Sequence, residues 1–359
     1  MKISIIVGTR PEIIKMSPII KECERLHLNY FILHTGQHYS YKMDKVFFEQ
    51  IQLPEPRYNL NIGSGSHAEQ TGKILIEMEK ILIKEKPHVV LVLGDTNTVL
   101  AGALTATKLC IKVGHIEAGL RSYDRTMPEE INRVLTDHCS DFLFVPTKKS
   151  KRILLGEGIP NEKIFITGNT IVDAVHQNLK LALKKGNIFH DLGLKKDEYF
   201  LVTTHRQENV DNPKRFSDII KGLKQIHTKY SKPIIYPIHP RSRKKLQKFQ
   251  INVDGVTLLD PIDYLSFLQL EKYAKVVLTD SGGIQEEACI LGTPCVTIRD
   301  NTERPETIDV GSNVLAGTNP KKILECVSLM YETDKRWNNP FGSGNAGKKI
   351  IGIVNEVLT

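Results

Sequence analysis

Ala274-Lys275-Val276-Val277-Leu278-Thr279-Asp280-Ser281-Gly282-Gly283-Ile284-Gln285-Glu286-Glu287 decides how the rest of this chain is read. Its first five residues form the kind of apolar run that makes a buried strand. Beyond Ser281, residues Ile284, Glu287, Ala288 and Leu291 recur at helical spacing, so strand turns into helix through Ser-Gly-Gly. The first turn of such a helix leaves backbone N–H groups without intrahelical acceptors. Together with the positive end of the helix dipole they make an anion site. Two carboxylates so close would repel a bound phosphate, unless one of them faces something uncharged. The two hydroxyls of a ribose fit, because a carboxylate accepts from both while the Gly-Gly end holds a diphosphate. The segment reads as a nucleoside-diphosphate grip; a well-capped helix with an acidic first turn is the plainer alternative.

Working outward, strand-like runs alternate with helical ones along the chain. The strands expected in the first half are Lys2–Val7, Tyr30–Thr35, Val89–Leu93, Lys112–Ile116, Asp141–Val145 and Lys163–Ile166. Helical spacing occupies Pro11–Leu26, Ala68–Lys84, Val99–Cys110 and Glu129–Cys139 between them. Near Gly186-Asn187 the pattern pauses, then restarts with Tyr199–Thr203, Ile234–Pro237, Thr257–Leu259, Val276–Thr279 and Cys295–Ile298. Continuous apolar strands alternating with helices argue for buried parallel sheets. The expected fold is α/β, with two doubly wound Rossmann-like domains, 1–180 and 181–345, facing a central cleft. A last helix within 346–359 has either half available to pack on. In open α/β sheets ligands lie beyond the carboxyl ends of the strands. The informative residues of both halves sit at those ends: Gly8-Thr9-Arg10, Gly94-Asp95, Glu117, His205-Arg206, His239 and Ser281-Gly282-Gly283.

Composition narrows the class. The 359 residues suit two domains rather than one, and 40% hydrophobic with 25% charged residues is ordinary for a globular protein. No apolar run reaches the roughly eighteen residues needed to span a bilayer. The N-terminal run reads as a first strand, not a signal peptide. Six scattered cysteines without a C-x-x-C pair imply a reduced, cytoplasmic protein. The net charge of +8 raises nucleic acid as a partner, but the basic clusters are far apart and lack interleaved aromatics, so solvated helix faces explain them. Neither nucleic acid nor membrane is an expected partner. Gly342-Ser343-Gly344-Asn345-Ala346-Gly347 spells a G-x-G-x-x-G, yet no strand precedes it, so a dinucleotide site does not follow. His115-Ile116-Glu117 with Pro294-Cys295 resembles half of a zinc-deaminase signature, but Ile298 stands where the second cysteine is required. His34 and His38 lie at a strand edge rather than on one helix face, and no metal is expected.

Four strand-end groups can carry protons. Asp95 follows a strand and a glycine that allows close approach to a ligand, although it could also cap the next helix. Glu117 comes directly after an apolar strand. Glu129 follows Pro128 at a helix start, where an acidic residue also complements the helix dipole. His205 ends Phe200-Leu201-Val202-Thr203-Thr204.

Taken together, Gly8-Thr9-Arg10-Pro11-Glu12, Gly94-Asp95-Thr96, His115-Ile116-Glu117-Ala118-Gly119-Leu120-Arg121, Pro128-Glu129-Glu130-Ile131-Asn132-Arg133, Gly168-Asn169-Thr170, His205-Arg206-Gln207-Glu208-Asn209 and the Thr279–Glu287 stretch match one family in order. Arg299-Asp300-Asn301-Thr302-Glu303-Arg304-Pro305-Glu306 and Asn339-Pro340-Phe341-Gly342 complete the match. The chain resembles the non-hydrolysing UDP-N-acetylglucosamine 2-epimerases over essentially its whole length. That resemblance implies a glycosyltransferase-B type fold, a homodimer, no redox cofactor and a UDP-sugar substrate. It also implies elimination of UDP to 2-acetamidoglucal, followed by re-addition. Asp95, Glu117, Glu129 and His205 match the family's proton-transfer candidates. Ser281, Gly282 and Gly283 match its diphosphate contacts, and Glu287 its ribose contact. Arg10, Lys15, His239 and Arg304 match further nucleotide-sugar positions, and Arg133 is expected to orient Glu129.

Rival readings are a hydrolysing epimerase, an epimerase for a 2,3-diacetamido uronic-acid nucleotide, and a glycosyltransferase of the same fold. Many bacterial relatives are activated by substrate bound in a second pocket. Here the loop Gln37–Lys45 and Gln207, where an arginine is usual, imply that this pocket is remodelled.

Overall fold

The structure, a computed structural model, describes residues 1–36, 41–186 and 188–358, with backbone only for 41–44. Gln37, His38, Tyr39, Ser40 and Asn187 therefore lie outside the described residues, and with them much of the Gln37–Lys45 loop and one member of the His34/His38 pair that the sequence did not favour as a metal site.

The chain divides into two compact units, Met1–His176 with Phe341–Thr359, and Gln177–Pro340. In the first, β1 (Lys2–Val7), α1 (Arg10–Arg25), β2 (Asn29–His34), α2 (Tyr41–Gln50), β3 (Tyr58–Asn59), α3 (His67–Glu85) and β4 (Val89–Leu93) follow in order. Next come α4 (Asn97–Lys108), β5 (Lys112–Ile116), α5 (Pro128–Cys139), β6 (Phe142–Val145), α6 (Lys148–Gly156) and β7 (Ile164–Ile166), and α7 (Thr170–Lys185) carries the chain from the first unit into the second. The second unit contains α8 (Ile188–Asp191), β8 (Phe200–Thr203), α9 (Gln207–Val210), α10 (Pro213–Tyr230), β9 (Ile234–Pro237), α11 (Pro240–Lys248) and β10 (Thr257–Leu259). It continues through α12 (Tyr264–Tyr273), β11 (Val276–Thr279), α13 (Gly282–Leu291), β12 (Cys295–Thr297), α14 (Pro305–Asp309), β13 (Asn313–Leu315) and α15 (Pro320–Glu332). The final helix is α16 (Ala346–Leu358).

The first sheet runs β3-β2-β1-β4-β5-β6-β7 and the second β10-β9-β8-β11-β12-β13. Every recorded strand pair is parallel. Each sheet thus reverses its winding once, between β1 and β4 and between β8 and β11, and such a switch point leaves a crevice beyond the strands' carboxyl ends. The central strand β4, Val89-Val90-Leu91-Val92-Leu93, is buried throughout, as a strand covered by helices on both faces must be. The edge strands β3 and β13 were not expected. At two and three residues they are too short to show a period, and pairing with β2 and β12 defines them.

The glycine-rich stretch near Phe341 returns the chain to the first unit. Asn169 N–H donates to the Phe341 carbonyl at 2.8 Å. Asp173 accepts from the N–H groups of Ala346 (3.1 Å) and Gly347 (3.2 Å), capping α16. A Cβ at Gly347 would stand 3.0 Å from Pro18, so glycine here lets α16 lie close on α1. Those glycines serve packing.

Candidate active site

At the second unit's switch point, Thr203 and Thr279 end paired strands, and their hydroxyls meet at 2.7 Å. The next residue after Thr279, Asp280, is fully buried and ties the two following loops together. It accepts from Thr204 Oγ1 (2.7 Å), the N–H groups of His205 (3.1 Å) and Arg206 (3.0 Å), and Asn209 Nδ2 (3.1 Å). Its Oδ1 lies 3.3 Å from Nδ1 of His205, whose side chain is 55% exposed. A carboxylate beside Nδ1 favours the tautomer with its proton there, leaving Nε2 free to exchange one.

Ser281 stands at the N-cap of α13 without a side-chain capping bond, and Gly282 and Gly283 open the helix. Their N–H groups precede any possible intrahelical acceptor. Apart from its own helix backbone and chain neighbours, a Cβ at either glycine would meet nothing among the described residues closer than 3.8 Å. Internal packing does not demand glycine at these positions, and the absence of a side chain leaves the helix start open to close approach. Glu287, one turn along, is buried and accepts from the Tyr264 hydroxyl at 2.9 Å. Arg304 pairs with the buried Glu286 at 2.7 Å. Nearby Arg299 grips Glu303 through two bonds of 2.8 and 2.9 Å. Burial opposes ionisation of Glu303, but Arg299, Arg206 and Arg304 bring its carboxyl down to about 2. His239 caps α11, accepting from Arg241 N–H at 3.2 Å. Its imidazole is held below the ordinary range by burial first, and then by electrostatic repulsion from the neighbouring His205 and Arg241.

The first unit's switch point carries acids. Glu12 accepts from Gly8 N–H at 2.5 Å and from the Thr96 hydroxyl at 2.7 Å, joining the loops after β1 and β4. Burial pushes its carboxyl up to about 7, against the pull of those hydrogen bonds and with a smaller push from the charge of Asp95. Gly94 has φ +88°, a left-handed conformation suited to glycine, and turns the chain into Asp95. Asp95 receives Arg133 Nη2 at 2.5 Å, while Arg133 Nη1 reaches Glu130 at 2.8 Å. Glu117 is buried with φ +66°, an uncommon conformation for a residue with a side chain. Its Oε1 accepts from Lys15 Nζ (2.6 Å) and Asn169 Nδ2 (2.9 Å). Its other oxygen lies 3.8 Å from where a Cβ on Gly94 would sit, so Glu117 borders the turn that presents Asp95. Arg10, the first residue of α1, lies over the Phe47 ring at 5.5 Å. Glu129 is half-buried in the first turn of α5.

Arg133 differs from expectation. Its carboxylate partners are Asp95 and Glu130 rather than Glu129, because Glu130 and Arg133, three apart, share the buried face of α5 while Glu129 sits at its flank. Sequence reading also left Glu12, Asn169, Asp280, Glu130 and Tyr264 without roles. The first four lay inside the matched motifs, which was their only signal; Tyr264 gave none. Among the described residues no cluster of His, Cys, Asp or Glu suits a metal ion, and no helix is long and apolar enough to cross a membrane.

The profile of the UDP-N-acetylglucosamine 2-epimerase family matches residues 21–355. A UDP-N-acetylglucosamine 2-epimerase of Methanococcus maripaludis is 59% identical over 360 residues, 98% of each chain. A crystal structure of the Methanocaldococcus jannaschii enzyme in complex with UDP-GlcNAc and UDP is similar with a TM-score of 0.92 at 57% identity, covering 99% of this chain and 100% of that one. The Neisseria meningitidis enzyme bound to UDP-GlcNAc gives a TM-score of 0.91 at 36% identity, over 99% of this chain and 100% of that one.

Proposed function

The chain belongs to the UDP-N-acetylglucosamine 2-epimerase family, and from that premise we propose that it interconverts UDP-N-acetylglucosamine and UDP-N-acetylmannosamine without net hydrolysis. The observation that carries this reading is the start of α13, where Gly282 and Gly283, with open space where a Cβ would stand, precede the buried carboxylate Glu287. Helix N–H donors suit a diphosphate, and a carboxylate one turn on suits a ribose. Ser281, Gly282, Gly283 and Glu287 hold UDP in this reading, with Arg304 and His239 beside it and Arg10 toward the sugar.

The chemistry needs proton carriers and a stabilised leaving group. A base removes the C2 proton, the C–H electron pair forms the C1=C2 bond, and UDP departs with the C1–O pair. Protonation of C2 on its other face and return of the UDP oxygen to C1 complete the exchange. Asp95, Glu117, Glu129 and His205 are the proton carriers of this reading. Arg133 and Lys15 keep two of these carboxylates in ion pairs, and Asp280 holds the His205 imidazole. His205 and the helix terminus stabilise the negative charge growing on UDP. Six free cysteines suit work in the reducing cytoplasm.

One measurement tests the whole reading: NMR of UDP-N-acetylglucosamine incubated with the protein alone in deuterated water. The expected result is deuterium at C2 of both epimers, with traces of UDP and 2-acetamidoglucal. Free N-acetylmannosamine accumulating with UDP would replace this reading with a hydrolysing enzyme. Retention of hydrogen at C2 would eliminate the elimination route.

A further inference from the structure

Behind the Glu287 carboxylate lies a second acid that the chemistry above does not use. Glu271 sits two turns after Tyr264 on the same face of α12, and its side chain is completely buried. Among the described residues, no hydrogen-bond donor meets either of its carboxyl oxygens. The titratable groups facing it are Glu287 from α13, Tyr264 from its own helix and Cys295 from β12; none is basic. The adjacent Lys272 is turned elsewhere, donating to the Leu291 carbonyl at 2.5 Å.

An isolated carboxylate in such surroundings is too costly to keep, and a carboxylic acid is the form that survives. Burial first, and then the negative charge of Glu287, hold the Glu271 carboxyl well above the ordinary carboxylate range. A neutral carboxyl group has one O–H to donate, and Glu287 is the acceptor in front of it. We propose that Glu271 is a positioning residue: its carboxyl O–H donates to Glu287 and, with the Tyr264 hydroxyl, turns that carboxylate toward the ribose of the nucleotide. The inference rests on Glu287 being the ribose contact. Two inward donors occupy part of the Glu287 acceptor capacity and leave the outward lone pairs for the two ribose hydroxyls. Ribose recognition by this site thus depends on a proton stored beneath it, and is lost as rising pH removes that proton and sets two like charges side by side.

The test compares UDP with dUDP by calorimetry on the full chain, in wild type, Glu287→Ala, Glu271→Leu and Glu271→Gln. Wild type should prefer UDP by roughly tenfold, and Glu287→Ala should abolish the preference. Glu271→Leu, which has no donor, should lose most of it and raise KM more than it lowers kcat. Glu271→Gln, whose amide donates from the same place, should keep it and should remove the wild type's decline in the preference at alkaline pH. Infrared spectra at neutral pH should show the carbonyl stretch of a protonated carboxylic acid that Glu271→Gln deletes. Full preference in Glu271→Leu with Glu287→Ala impaired would overturn this inference alone. Full preference in Glu287→Ala would overturn the ribose assignment and this inference with it. Should Glu271→Leu fail to fold, the infrared band decides: a wild type without a band that Glu271→Gln removes overturns the proposal.

Discussion

The two switch points solve the same geometric problem with opposite chemistry. In each, one buried acid ties together the loops that follow two neighbouring strands: Glu12 after β1 and β4, Asp280 after β8 and β11. Asp280 is surrounded by donors, including two backbone N–H groups, a hydroxyl and an amide, so its charge is matched. Glu12 accepts from Gly8 N–H and from the hydroxyls of Thr96 and Thr9 but faces the carboxylate of Asp95, and burial pushes its carboxyl up to about 7. The crevices differ accordingly. One presents acids, Asp95 and Glu117, each pinned by a cation. The other presents backbone N–H groups and an exposed imidazole. A fold that supplies the same kind of crevice twice leaves the side chains to give each its own chemistry.

Substitutions can break that division of labour. Glu117→Gln should have the largest effect, lowering kcat by about a hundredfold to ten-thousandfold with little change in KM. Steady-state assays of UDP-N-acetylglucosamine epimerisation check it, and a KM change alone would contradict a proton-carrying role. Next in size is the pH dependence of stability that Glu12 imposes. Folding raises its carboxyl from 4.5 to about 7, so the folded state holds the proton more tightly. Stability from this source is fully present below pH 4.5 and is lost as pH rises through 7, by at most on the order of 3 kcal/mol. Melting curves of Glu12→Gln from pH 5 to 8 should therefore be flatter than those of the wild type; parallel curves would remove Glu12 as the cause.

On the other side, Glu287→Ala should raise KM about tenfold while moving kcat less, because a ribose contact is shared by ground and transition states. A fall in kcat at unchanged KM would place Glu287 among the reacting groups and dissolve the contrast. Tyr264→Phe should have the smallest effect, removing one hydroxyl worth about 1 kcal/mol and weakening UDP binding by a few-fold. Calorimetric titration with UDP measures it directly.

What sequence reading recovered depended on range. Val89–Leu93, the Leu278-to-Ile284 turn and the strand-end positions of Asp95, Glu117 and His205 are local patterns, and each is visible within a dozen residues. The Glu130–Arg133 pair is equally local, three residues apart, yet spacing alone could not say whether Glu129 or Glu130 faces inward. The ties that hold the crevices span the fold: 84 residues separate Glu12 from Thr96, 75 separate Asp280 from His205, and 102 separate Lys15 from Glu117.

By itself, the sequence determined the α/β class, the doubly wound halves, the family and the list of chemically able residues, because hydrophobic period and ordered motifs are properties of short windows. Only the tertiary structure decided which of two acids Arg133 takes, that Glu12 and Asp280 lock the switch points, that α16 returns to α1 around Gly347 and that Glu271 lies beneath Glu287. Burial and partnership set the charge and orientation of an acid. Both depend on what parallel strands bring alongside from distant parts of the chain, which no local pattern records.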